Sequence, residues 1–321
     1  MLTNILILLA GLALVVFGAD YLVDGASGIA RKAGLSEFLI GLTIVGIGTS
    51  TPEMVVSFFG AFQGKSDVAI GNVIGSNIFN ILFILGLTAI ILPVGITKEN
   101  LRRDIPLNLL VSLLLVGIGT RTALGLGTEN TLTRAGGLLF VLLFVLYMFL
   151  SFRSGKAQQD EEEPGAAAPT RKTVWYVLMV LGGLAGLVIG GRLFVNAATD
   201  IARMAGWSDK FIAITILAGG TSLPELVTCI VAAAKQKDAL ALGNILGSNI
   251  SNVLLILGGS ALIHPLSFSN ITPVDYIAFL SGGVLLLLLA LVHPRRLLGR
   301  GGGALLVACE AAYMTFLICQ L

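Results

Sequence analysis

The sequence predicts an all-α polytopic membrane protein of about ten transmembrane helices in two inverted five-helix repeats. Three observations predict it. Of the 321 residues, 56% are apolar and only 12% charged, with a mean hydropathy of +0.95. The apolar residues gather into runs long enough to cross a bilayer, which takes about 20 residues per helix. Two polar motifs recur in the two halves at one constant offset. A water-soluble domain carries charge on about a quarter of its residues, so most of this chain faces lipid or other apolar helices. A net charge of +2, with no long basic run, gives no footing for a nucleic-acid partner.

Polar breaks divide the chain into apolar spans at 3–29, 35–62, 67–92, 105–121, 132–152, 173–199, 208–234, 239–263, 274–292 and 303–320. The first has no basic residue ahead of it and no A-x-A cleavage signature, so it reads as a retained helix, not a signal peptide. The halves are 1–152 and 173–321, joined by a polar linker at 153–172. The linker carries Asp160, Glu161, Glu162, Glu163, two prolines and a run of alanines, the composition of a disordered, solvated segment.

Basic residues set the orientation. With the N-terminus outside, Arg31, Lys32, Lys98, Arg102, Arg103, Arg153, Lys156, Arg171, Lys172, Lys235, Lys237, Arg295, Arg296 and Arg300 all fall in cytoplasmic loops. Lys65, Arg121, Arg134, Arg203 and Lys210 fall outside. The bias of 14 against 5 places both termini outside and the linker in the cytoplasm of a cell with this chain in its plasma or inner membrane. Cys229, Cys309 and Cys319 lie singly in apolar runs and read as buried packing thiols. His264 and His293 each precede a proline at the end of an apolar run and read as interfacial residues.

The internal repeat carries the most information. Residues 43–53 read T-I-V-G-I-G-T-S-T-P-E and 215–225 read T-I-L-A-G-G-T-S-L-P-E. Residues 71–80 read G-N-V-I-G-S-N-I-F-N and 243–252 read G-N-I-L-G-S-N-I-S-N. The offset is 172 for both pairs (225 − 53 and 252 − 80). Five crossings per half turn the second half upside down, and inverted repeats of this kind place an ion site at their interface near the midplane.

Pro52 and Pro224 have no N–H, so the carbonyls of Gly48 and Gly220 lose their helical donors. Both helices are expected to break there, exposing carbonyl oxygen at a depth where a cation could satisfy it. Thr49, Ser50, Thr221 and Ser222 add hydroxyls at the breaks, and Glu53 and Glu225 come within the next turn. On the next helix Asn72, Ser76 and Asn80 share one face at i, i+4, i+8, as do Asn244, Ser248 and Asn252. Gly71, Gly75, Gly243 and Gly247 lie beside them and permit close helix approach. Together these form an oxygen-only site, suited to hard cations. Two carboxylates in a bilayer repel unless a cation or proton neutralises them, and their charge matches one Ca²⁺. Helix packing around a proline kink would explain the glycines, but not two intramembrane glutamates repeated with inversion.

The paired motifs resemble the α-repeats of the calcium/cation antiporter superfamily, in its sodium/calcium exchanger branch. The likeness is strongest over 35–92 and 207–263. It implies ten helices, with the first and sixth sliding across the core. It implies that Glu53 and Glu225 bind calcium with Thr49 and Thr221. It implies sodium ligands among Ser50, Ser222, Ser76, Ser248 and the carbonyls of Gly46 and Ala218, with Asn80 and Asn252 at the centre. The activity implied is secondary antiport of Na⁺ against Ca²⁺, three for one, with no cofactor, no catalysis and a single chain as the transport unit. One departure stands out: many relatives carry aspartate where this chain has Asn252, which argues against potassium co-transport. Another is Arg192, aligned with Asp20, for which an ion pair with Asp20 or snorkelling to an interface is expected. Asp24 and Glu310 also lie in apolar runs and are given no role. The competing readings are a proton/calcium antiporter, a channel, and an intramembrane enzyme using Ser50 or Ser222. The last lacks a His or Lys base within the membrane.

Overall fold

Glycines and prolines decide where this chain bends and where its helices touch. The computed structural model describes residues 1–155, 172–207, 218–293 and 296–320. Helix α1 (Leu2–Ala33) runs 32 residues and stops at Gly34, whose left-handed φ of 64° suits glycine. Helix α9 (Thr173–Met204) has the same length. The two pack along each other through small residues. Gly11 lies against Gly190 and Phe194, Gly18 against Gly183 and Leu187, and Gly25 against Tyr176 and Val180. Rising residue numbers on one meet falling numbers on the other, so the helices are antiparallel, as the leading helices of an inverted repeat must be.

The second span is bent. Ser36 caps α2 (Glu37–Ile40) by accepting from the Leu39 N–H at 3.2 Å. A π-helical turn (Gly41–Val45) leads into α3 (Gly46–Thr49), and α4 (Thr51–Phe62) departs at 47°. The break lies where Pro52 predicts it. The Gly48 carbonyl is not left free, however: the Thr51 hydroxyl donates to it at 2.7 Å. That takes over the role foreseen for a cation. In the second half, 208–217 lies outside the described residues. The chain then forms α10 (Ala218–Gly220), a turn at Thr221 and Ser222, and α11 (Leu223–Ala234). Leu223 replaces Thr51 there and has no hydroxyl to offer Gly220.

The next spans each contain a π-helical turn opening on an asparagine. One is α5 (Ser66–Phe79), Asn80–Leu85 and α6 (Gly86–Ile91). The other is α12 (Asp238–Ser251), Asn252–Leu257 and α13 (Gly258–Ile263). Helix α7 (Ile105–Gly119) succeeds a π turn (Asn100–Asp104). Helix α8 (Arg134–Gly155) takes residues 153–155 out of the predicted linker, and 156–171 lies outside the described residues. Helices α14 (Pro273–Val292) and α15 (Arg300–Cys319) complete the chain. Two short ladders, unforeseen in the sequence, tie the halves together. β1 (Val94–Gly95) pairs with β4 (Leu297–Leu298), and β2 (Thr131–Leu132) pairs with β3 (Leu266–Ser267), both antiparallel.

Among the described residues seven helices are long and apolar enough to span a bilayer, and the bent pair Glu37–Thr49 and Thr51–Phe62 makes an eighth. The expected count of ten also needs α7 and α11. The first is preceded directly by Arg102, Arg103 and Asp104, and part of the span expected at 208–234 lies outside the described residues. Burial ranks the layers. The best apolar stretch of Asp238–Ile263 is 94% buried, that of Ser66–Ile91 67%, and that of α1 22%. The third span of each half therefore lies at the centre, and α1 and α9 lie on the outside.

Antiparallel packing also corrects one expectation. Asp20 lies near Gly183 on α9, whereas Arg192 is level with Gly11, about 13 Å away along the axis at 1.5 Å per residue. They do not pair. Asp20 and Asp24 each meet Lys235 at 2.7 Å instead. Of the cysteines only Cys229 is fully buried; Cys309 is half-buried and Cys319 exposed, because both sit on the peripheral helix α15. Glu310, on the same helix, faces inward and is buried.

Candidate cation site

The two helix breaks bring Glu53 and Glu225 into the centre, and neither has any solvent exposure. Each occupies the first turn of its helix, behind a proline. Each carboxylate is held by the other half. The Ser222 hydroxyl donates to Glu53 Oε1 at 3.0 Å, and the Ser50 hydroxyl donates to Glu225 Oε1 at 2.9 Å. Each is also approached from its own half: Ser76 reaches Glu53 Oε1 at 3.3 Å, and Ser248 reaches Glu225 Oε1 at 3.5 Å. Ser248 has one proton and a nearer acceptor, the Gly46 carbonyl at 3.0 Å. Thr49 donates to Asn244 Oδ1 at 3.1 Å, and Asn72 donates to the Glu53 carbonyl at 3.2 Å and to Ser57 at 3.1 Å.

Behind the carboxylates is an asparagine cluster that the i, i+4, i+8 pattern does not single out. Asn77 Nδ2 donates to the Asn249 carbonyl at 3.0 Å, and Asn249 Nδ2 returns the bond to the Asn77 carbonyl at 3.3 Å. Their side-chain oxygens then accept from Asn252 at 2.9 Å and Asn80 at 3.0 Å. This fixes the amide orientations of the outer pair. Asn80 and Asn252 spend their nitrogens on the cluster and keep their oxygens free.

Four buried oxygens thus have no hydrogen-bond partner: Glu53 Oε2, Glu225 Oε2, Asn80 Oδ1 and Asn252 Oδ1. They form two pairs at the offset of 172. A buried acceptor without a donor costs about 1–3 kcal/mol, and a buried anion without a partner costs more. Oxygens left free on two carboxylates and two amides suit a hard cation. Thr221 Oγ1 is also unpartnered. It lines a cavity of roughly 310 Å³ together with Pro52, Asn72, Arg192, Asn196 and Pro224, so the cavity reaches both helix breaks.

The structure therefore gathers the expected residues into three hydrogen-bonded groups: Glu53 with Ser222 and Ser76; Glu225 with Ser50 and Ser248, and through Ser248 the Gly46 carbonyl and Thr49; and Asn80 with Asn252 through Asn77 and Asn249. Ala218 opens α10, three residues ahead of Thr221. The close approach expected of the glycines holds for Gly243 and Gly247, which meet the backbone of Phe38 and Leu42. The segment that Gly71 and Gly75 would meet by the same relation falls in 208–217, outside the described residues. Away from the site, Lys235 and Lys237 close the α1 side. Burial works against the charge of Lys235, but Asp20 and Asp24 outweigh it and raise its pKa. Burial dominates at Lys237 and lowers its pKa.

The family model described as sodium/calcium exchanger protein matches residues 3–153 and 175–319. The sodium/calcium exchanger MaX1 of Methanosarcina acetivorans is 34% identical, over 84% of this chain and 85% of its own. The inner membrane protein YrbG of Escherichia coli is 36% identical, over 97% of this chain and 95% of its own. A solved structure of the sodium-calcium exchanger NCX_Mj, soaked with Na⁺ and Sr²⁺, superposes with a TM-score of 0.82 at 32% identity, covering 98% of each chain.

Proposed function

The chain belongs to the sodium/calcium exchanger family, and from that membership we propose that it exchanges Na⁺ for Ca²⁺ across a bilayer by alternating access. The observation that carries the reading is the set of four unpartnered buried oxygens on Glu53, Glu225, Asn80 and Asn252. Ca²⁺ sits between the two carboxylates with the hydroxyls of Thr49 and Thr221. Na⁺ uses Ser50, Ser222, Ser76, Ser248 and the carbonyls of Gly46 and Ala218, and the amide oxygens of Asn80 and Asn252 line the centre. The halves 1–152 and 173–321 form the inverted pair, with the linker in the cytoplasm and both termini outside. Helices α1 and α9 are the elements that slide, because glycine-lined backbone contacts bind them to each other along their length.

Exchange of three Na⁺ for one Ca²⁺ moves one net charge per cycle. Each 100 mV then contributes about 2.3 kcal/mol per charge. In Na⁺-loaded proteoliposomes, tracer Ca²⁺ uptake is expected to accelerate when valinomycin and K⁺ set the interior positive, because net positive charge leaves. Uptake indifferent to that potential would replace this stoichiometry with two for one. A pH gradient that drives uptake without Na⁺ would overturn the coupling ion.

Potassium is not required on this reading. The carboxylates of Glu53 and Glu225 balance Ca²⁺, and the amides of Asn80 and Asn252 add no charge to balance K⁺, which the bilayer interior makes costly. Sodium-driven uptake is expected to proceed at equal rates in choline and in K⁺. Uptake absent in choline and restored by K⁺ would show the opposite.

A further inference from the structure

The offset of 172 relates the two approaches to the site, and their charges are not related. On the α1 side, α1 packs along α11, and Asp20 and Asp24 are engaged by Lys235. The positions equivalent to Asp20 and Asp24 on α9 are Arg192 and Asn196. Those equivalent to Lys235 and Lys237 are Gln63 and Lys65. On this side α9 stands away from α4, and the gap is the cavity of roughly 310 Å³ that ends at Pro52 and Pro224. Arg192 and Asn196 stand on its wall. Arg192 is exposed and, among the described residues, makes no ion pair or hydrogen bond.

We propose that Arg192 is a specificity-determining residue: an electrostatic filter on the cavity approach that weakens the hold of the site on cations from that face, and on divalent ions more than monovalent ones. A cavity of this size keeps Arg192 within about one Debye length, some 8 Å at physiological salt, of any ion passing through it. Arg stays charged at all working pH values, so the filter is permanent. Coulomb repulsion scales with ion charge, so it acts on Ca²⁺ twice as strongly, in logarithmic terms, as on Na⁺. On the α1 side the equivalent positions are carboxylates paired with Lys235, so among the described residues no unpaired cation stands there. The two faces of one site therefore differ in apparent affinity, although the ligands at its centre are symmetric. The inference rests on the exchange reading for its purpose but not for its test.

The test is cation titration of the purified chain in detergent, read by the rise in melting temperature, for wild type, Arg192→Gln and Arg192→Lys. The glutamine variant is expected to lower the half-saturating Ca²⁺ about fivefold and the half-saturating Na⁺ only about twofold. The lysine variant is expected to match wild type, and the difference should shrink in 0.5 M choline chloride. Unchanged Ca²⁺ titration in the glutamine variant overturns the inference. Equal shifts for both ions, or a lysine variant that behaves like glutamine, also overturn it, because either would report packing instead of charge. Sodium-driven uptake by wild type in the same preparation decides the exchange reading separately.

Discussion

Glutamine in place of Glu53 or Glu225 is expected to lower sodium-driven Ca²⁺ uptake at least about 100-fold and to leave the fold intact. The two outcomes have different causes. Removing one charge of a buried, compensated set costs about 3–5 kcal/mol, and here the loss falls on the cation-bound state. Each 1.4 kcal/mol is tenfold in affinity, so the loss amounts to two or more decades. The protein without cations is relieved instead, because one buried anion is gone. The hydrogen bonds survive the change. Ser222 and Ser76 donate to Glu53 Oε1, and the amide oxygen of glutamine accepts in the same place. The variant should therefore melt no lower than wild type in detergent and should lose the rise in melting temperature that Ca²⁺ gives wild type. Uptake within about threefold of wild type in both variants would remove the two carboxylates from the site.

Those carboxylates are legible because the sequence states them twice. Glu53 and Glu225 stand beside prolines, at one offset, in runs that otherwise carry charge only near their starts. The Pro52 break is legible for the same local reason, since a missing N–H needs no tertiary context. The repair of Gly48 by Thr51 is not, because it depends on a side-chain rotamer at the bend. Asn77 and Asn249 stand within the two repeated motifs and still escape the pattern. They lie one residue, about 100° of helix, from Ser76 and Ser248. Reading the face at i, i+4, i+8 assigns them to a different neighbour. That neighbour proves to be the same helix of the other half. The available signal is the offset itself, since Asn77 and Asn249 recur unchanged across 172 just as Glu53 and Glu225, Ser76 and Ser248, and Asn80 and Asn252 do. Nothing in either half announces the π-helical turns at Asn80 and Asn252. The unequal charges of Asp20 and Arg192 suggest a pair, because sequence alone does not give the axial offset of two antiparallel helices.

Alanine at Gly247 is expected to damage the protein more than any other single-methyl addition near the site. Helix α12 crosses the first part of the bent span in backbone contact. A methyl on Gly247 would overlap the Leu42 carbonyl, with the Leu42 Cα 2.7 Å away, and one on Gly46 from the other side would meet the Ser248 nitrogen at 2.9 Å. Backbone cannot rotate out of the way as a side chain can, so α12 must lift by on the order of 1 Å, with an overpacking cost of about 1–3 kcal/mol. The lift falls on the site. It stretches the bond from Ser248 to the Gly46 carbonyl, now 3.0 Å, and the bond from Thr49 to Asn244, now 3.1 Å. A misplacement of about 1 Å at a reacting centre can cost about 100-fold in rate, and a loss of that order in Ca²⁺ uptake is expected here. The control is alanine at Gly182, exposed on α9, where an added methyl meets nothing among the described residues. There the better helix propensity of alanine should stabilise by about 0.5–1 kcal/mol. The two substitutions are chemically identical, so melting temperatures that move in opposite directions would isolate the packing of α12 as the cause. A Gly247→Ala protein that melts with wild type and transports within about twofold of it would mean that the backbone contact gives way freely and that the site does not depend on it.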